Sequence, residues 1–89
     1  MTAIWKYELA ITDEQTVSVP GGARPLSVAE QHGKLCMWAV VTPLKWEHRQ
    51  TVKVSIYGTG NPIPGRGPSG NFLGTVVMGS GLVWHVFVG

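Results

Sequence analysis

Cysteine, charge runs, long apolar runs and helical spacing are all scarce in this chain, and each shortage removes a class of protein. One cysteine in 89 residues rules out an internal disulfide. That residue, Cys36, lies in the apolar run Leu35-Cys36-Met37-Trp38-Ala39-Val40-Val41, a setting that predicts a buried thiol and suits a reducing compartment. Seven basic residues stand against five acidic ones, a net charge of +2 with no run of either sign. This lacks the basic stripe of a nonspecific nucleic-acid binder. The longest apolar run falls far short of the about 20 residues a membrane-crossing helix needs, and Met1 to Lys6 lacks the basic-then-apolar order of a secretion leader. The expectation is a soluble, intracellular protein with no membrane partner.

Catalytic and metal-binding patterns are equally thin. His32, His48 and His85 are too widely spaced for a local metal motif. Ser69 and Ser80 sit in glycine turns without the strand-to-helix elbow of a serine nucleophile, and the five acidic residues are scattered. The chain reads as non-enzymatic, with no catalytic residue, cofactor or metal.

What is present is the period-2 alternation of β-strands. Trp5, Tyr7, Leu9 and Ile11 fall on one face of the first segment, with Trp5 expected to fill the core. Thr16 to Val19 alternates and stops at Pro20-Gly21-Gly22; Leu26 to Val28 resumes, and Gln31-His32-Gly33-Lys34 predicts a hairpin with positive φ at Gly33. Leu35 to Val41 reads as a central strand buried on both faces, closed by Pro43. Residues 44–50 turn polar around Trp46. Thr51 to Tyr57 gives the cleanest alternation, with Val52, Val54 and Ile56 inward and Lys53 outward, and two further strands are predicted over 72–78 and 82–88. The prediction is a single all-β domain over residues 1–89, an antiparallel sandwich or small barrel of about seven short strands. At this size one core leaves a modest stability margin, so self-association into a homo-oligomer is expected.

Between the last strands lies the segment 58–70, thirteen residues of which five are Gly, three Pro and one Arg. A connection this long inside a small domain is functional or disordered. Its glycines Gly58 and Gly60, with Thr59 and Asn61, can turn backbone N–H groups and short polar side chains toward an anion, and Arg66 adds a fixed charge. The phosphate-loop and dinucleotide signatures are absent, because both need a following helix. Arg24 and Arg49 lie in or beside predicted loops, and guanidinium groups grip phosphates and stack on rings such as Trp46 or Tyr57. These nine residues form the candidate ligand-binding set.

The order Ile4-Trp5-Lys6-Tyr7-Glu8-Leu9, Cys36-Met37-Trp38-Ala39-Val40-Val41, Ile56-Tyr57-Gly58-Thr59-Gly60-Asn61-Pro62-Ile63-Pro64 and Leu82-Val83-Trp84-His85-Val86-Phe87 resembles a family of small uncharacterised bacteriophage and prophage proteins over nearly the whole chain. The resemblance implies an accessory protein acting in the cytoplasm of an infected bacterium, and no reaction. The family pattern carries His where this chain has Asn61, which cannot perform acid–base chemistry. The leading expectation is a phage protein that counters bacterial defence by sequestering a small anionic, nucleotide-derived signal. The alternatives are a protein-interaction or virion-associated module that docks on a protein such as a host defence factor, and a small phosphodiester hydrolase using His48 or His85.

Overall fold

The structure, a computed structural model, describes residues 1–89. Seven strands follow one another as β1 (Ala3–Leu9), β2 (Glu14–Val19), β3 (Arg24–Gln31), β4 (Lys34–Val41), β5 (Gln50–Gly58), β6 (Asn71–Val77) and β7 (Val83–Val88), with a 3-10 helix η1 (Pro43–His48) between β4 and β5. They form two antiparallel sheets, β1-β4-β3 and β2-β5-β7-β6, that share no ladder and are not closed into a barrel. The fold is a sandwich.

Alternation drives the packing. Val52, Val54 and Ile56 of β5 turn into the interior, where they meet Val86 of β7 and Val19 of β2. Leu35, Met37, Ala39 and Val41 face them from β4, joined by Leu9 of β1. Burying each of the larger of these side chains stabilises the fold by about 1.5–3 kcal/mol before chain entropy is charged against it. Cys36 is buried as expected, yet its position opposite Glu8 puts it on the outer face of its sheet. The Lys6 ammonium donates to Gln31 Oε1 at 2.8 Å, a bond whose path across the register passes over β4 near Cys36.

Local chemistry explains the connections. The β3–β4 hairpin turns on His32 (φ 52°) and Gly33 (φ 77°), the two successive positive φ angles of a tight hairpin turn. Crossing from β1 to the other sheet is stapled by Gln15, whose side-chain amide donates to Ala10 O at 2.7 Å and whose Oε1 accepts Ala10 N–H at 3.1 Å. On the far side β3 and β6 close the sandwich: a Cβ on Gly74 would lie 2.9 Å from Val28 Cγ2, and Gly79 N–H donates to Glu30 Oε2 at 2.8 Å.

Two sequence expectations need correction. Trp5 does not fill the core. It is 37% exposed, because β1 is an edge strand and its register partner, Ala39, is too small to cover an indole; Trp46 covers part of it at 6.4 Å between ring centroids. Ile11 leaves the inward row, since the strand ends at Leu9 and the chain turns to cross between sheets. The polar stretch after Pro43, to which the sequence pattern assigned no element, forms η1, with Pro43 opening the helix.

A bulge in β6 decides which of its side chains reach the outer face. Phe72 pairs with Phe87 and Gly74 with Val86, so register slips by one residue at Leu73. Leu73 and Gly74 both lie toward the interior, and Phe72 and Thr75 therefore emerge on the same outer face. Strict alternation would have sent them to opposite faces.

Candidate ligand-binding groove

The outer face of the four-stranded sheet carries two cross-strand rows. Tyr57, His85 and Thr75 form one, from β5, β7 and β6; Ser55, Phe87 and Phe72 form the other. The rings interlock edge to face, Tyr57 on Phe87 at 5.6 Å and 73°, Phe72 on Phe87 at 5.4 Å and 61°. Phe72 is 60% exposed, so this cluster presents aromatic surface to solvent.

Segment 58–70 folds back over that face. Its first four residues close a turn, Asn61 N–H donating to Gly58 O at 3.1 Å, with Gly60 at φ 85°. Gly58 sits in a crowded place: a Cβ there would come within 2.6 Å of Asn61 Nδ2, the end of a side chain that would have to move aside, and 3.0 Å of the Trp84 ring. Near the segment's end Ser69 N–H donates to Tyr57 Oη at 3.0 Å. A groove of about 320 Å³ remains between segment and sheet, floored by Tyr57, Phe72, His85 and Phe87 and walled by Thr59, Asn61 and Ile63.

At the centre of the floor, His85 has both ring nitrogens engaged. Nε2 lies 2.7 Å from Thr59 Oγ1 and Nδ1 lies 3.0 Å from Thr75 Oγ1. A neutral imidazole has one donor and one acceptor nitrogen, and a hydroxyl can play either part, so both tautomers are satisfied. No carboxylate orients the ring, in contrast to the arrangement that gives a catalytic histidine its direction.

Charge is distributed unevenly around the segment. From Gly58 to the C-terminus the only Lys, Arg, Asp or Glu is Arg66, which is exposed and makes no ion pair. The opposite flank of the segment faces acid: Asp13 and Glu14, with Tyr57, Pro62 and Pro64, line a separate cavity of about 350 Å³. Glu14 is paired there with Lys53 at 3.2 Å. The two flanks of the segment thus differ in the carboxylates that line them.

Of the nine candidate residues, the fold brings Tyr57, Gly58, Thr59, Gly60 and Asn61 together at the groove. Arg66 sits in the segment above, lining no cavity. Trp46 and Arg49 form a separate unit beyond β4, the guanidinium 5.4 Å from the indole centroid and Trp5 beneath. Arg24 opens β3 on the other sheet, opposite Val40. His85, Thr75, Phe72 and Phe87 were not in the candidate set. Only His85 had a visible signal, a polar residue alternating between Trp84 and Val86, and that pattern says nothing of its partners.

Comparison with known proteins matches residues 1–89 to the DUF7352 model, a domain of unknown function. The chain belongs to the DUF7352 family. No curated protein and no solved structure matches it. In this DUF7352 chain the groove is the place where aromatic, hydroxyl and imidazole groups converge, and its lining holds no Lys, Arg, Asp or Glu.

Proposed function

We propose that this DUF7352 protein is a non-enzymatic binding module that sequesters a small anionic, nucleotide-derived ligand in the groove between segment 58–70 and the outer sheet face. The observation that carries the reading is the combination around His85 of exposed aromatic surface with a hydroxyl–imidazole–hydroxyl row that no carboxylate joins. A planar base stacks on or against such rings, and each stacked base contributes about 1–3 kcal/mol in single-strand binders. Thr59 and Asn61 would meet its phosphate from the groove wall, and the exposed Arg66 of the same segment would swing in to add its charge.

A binding role is favoured over hydrolysis because His85 is already held by two hydroxyls, and Asn61 offers no acid–base group. The likeness to phage and prophage proteins supplies the setting: an accessory protein in the cytoplasm of an infected bacterium, blunting a defence signal by holding it. Self-association fits a domain of this size.

A second reading rests on a different observation. Met1, Ile4, Trp5, Leu44 and Trp46 are all exposed, and the tilted Trp5–Trp46 pair with Arg49 above it has the composition of a protein-contact anchor. In that reading the protein docks on a host or virion protein.

The test is to mix purified protein with a bacterial nucleotide extract, follow thermal stability, and weigh any ligand released by heat. Intact bound nucleotide supports sequestration, and Arg66→Ala should then weaken it by about 1.5–3 kcal/mol with folding unchanged. No shift together with one co-purifying protein moves the assignment to the Trp5–Trp46 surface. Disappearance of nucleotide during incubation would point to a phosphodiester hydrolase instead.

A further inference from the structure

We infer that Thr59, His85 and Thr75 form a proton-linked oxyanion subsite at the edge of the groove, Thr75 standing exposed just beyond its lining, in which charging the imidazole leaves both threonine hydroxyl hydrogens free for a guest. The inference rests on the groove reading for the identity of that guest, and specifies which groups meet its anionic part.

The argument is a count of hydrogens. Neutral imidazole carries one N–H and one lone-pair nitrogen. With Thr59 on Nε2 and Thr75 on Nδ1, one hydroxyl must spend its hydrogen on the lone pair, while the other accepts the N–H and keeps its hydrogen free. Protonation gives two N–H groups. Both hydroxyl oxygens then accept, both hydroxyl hydrogens are released, and the ring gains a positive charge. One proton taken up thus supplies one additional donor and one cationic centre, with the three side chains keeping their places. Thr59 Oγ1 and Thr75 Oγ1 lie at opposite edges of the ring, so the matching guest is an oxyanion with separated acceptor oxygens, such as a phosphodiester or diphosphate.

The surroundings permit the charge to act on a guest. From β5 the ionisable group facing His85 is Tyr57, whose phenol oxygen accepts Ser69 N–H. From β6 it meets Thr75, and Val83 and Phe87 flank it on β7, none of them ionisable. The segment above contributes Arg66 as its sole formal charge. No carboxylate makes an ion pair with His85, so an external anion has no internal competitor.

Linkage makes the effect reciprocal: an anion that prefers the charged ring must draw a proton onto it. Imidazoles as a class exchange their proton between about pH 5 and 8. Two probes whose own charge is constant over that range, inorganic sulfate and 3′,5′-cyclic AMP, serve the test. In the unmodified protein the NMR titration midpoint of the His85 ring should rise when sulfate is added, and cyclic AMP should bind at least about fivefold more tightly at pH 5.5 than at pH 8. His85→Gln keeps a donor and an acceptor but cannot charge, and should flatten the pH dependence. Thr75→Val, at an exposed position, should reduce it with little risk to folding.

A midpoint indifferent to sulfate, or cyclic AMP affinity equally pH-dependent in His85→Gln, overturns the subsite. Those failures leave the sequestration reading standing if the extract yields a bound nucleotide. An extract that yields none, beside a sulfate-dependent midpoint, removes sequestration and keeps the anion subsite.

Discussion

The two outer faces of this sandwich are built by the same alternation and end in different states. On the three-stranded sheet the outward row from β1 is Ile4, Lys6 and Glu8, and its long polar side chains reach across the sheet, Lys6 to Gln31 and Glu8 to Lys34 at 3.9 Å. That face solvates itself. On the four-stranded sheet an ion pair, Lys53 with Glu14, sits on the β2–β5 side, but the outward residues around β7, from Tyr57 and Ser55 to Thr75 and Phe72, are rings, hydroxyls and one imidazole, and a thirteen-residue segment folds over them. Side-chain length and charge decide whether an outer face closes on itself or remains open to a guest.

The largest break in that comparison comes from the wall both faces share. Val54 is fully buried, and Val54→Asp places an unpaired carboxylate between the sheets, so the variant should fail to fold, visible as loss of the β-sheet circular dichroism signal. Gly58→Ala strikes the turn that opens the segment and the Trp84 ring packed beneath it. Its Cβ must displace Asn61 and press on Trp84, with an expected loss of about 1–3 kcal/mol in chemical denaturation and a larger fractional loss of ligand binding. An unchanged thermal midpoint and affinity would show that the turn is not held by close packing.

The two tyrosines sharpen the contrast with opposite signs. Tyr57 Oη accepts Ser69 N–H, whereas Tyr7 Oη is buried without a partner on the interior side of the other sheet. Tyr7→Phe should therefore stabilise by about 1 kcal/mol, since it removes an unsatisfied hydroxyl. Burial also raises the Tyr7 phenol above its ordinary 10.0, so the folded state holds that proton more tightly than the unfolded chain. This contribution is intact below about pH 10 and is lost as pH rises above it, so Tyr7→Phe should lose less stability on alkaline titration than the parent. A steeper alkaline decline in the variant would contradict that origin. The smallest effect belongs to the self-solvated face: Lys34→Ala breaks only an exposed pair and should change stability by less than about 0.5 kcal/mol.

Much of the scaffold was legible in the residues. The Thr51–Tyr57 alternation identified the inward valines and isoleucine, because one face of a half-buried strand must be apolar throughout. Gln31-His32-Gly33-Lys34 announced its hairpin through the need for positive φ. The site was only half legible. Glycine content marked residues 58–61, but alternation cannot say that His85 would find Thr59, 26 positions away, and Thr75, 10 positions away, because those meetings depend on strand order. Arg24, Arg49 and Trp46 looked like partners of the segment for the same reason in reverse: loop residues distant in sequence carry no information about which loops converge.

Local covalent chemistry alone determined where this chain extends, where it reverses and which side of each strand avoids water, since those follow from side-chain period, proline, and glycine torsions. The assembled sandwich decided everything that needs two strands at once. It left Trp5 at an edge, and it placed Phe72 and Thr75 on one face through a single extra residue in β6. It also set an imidazole between two hydroxyls from different strands. Register is a property of pairs, and no single strand contains it.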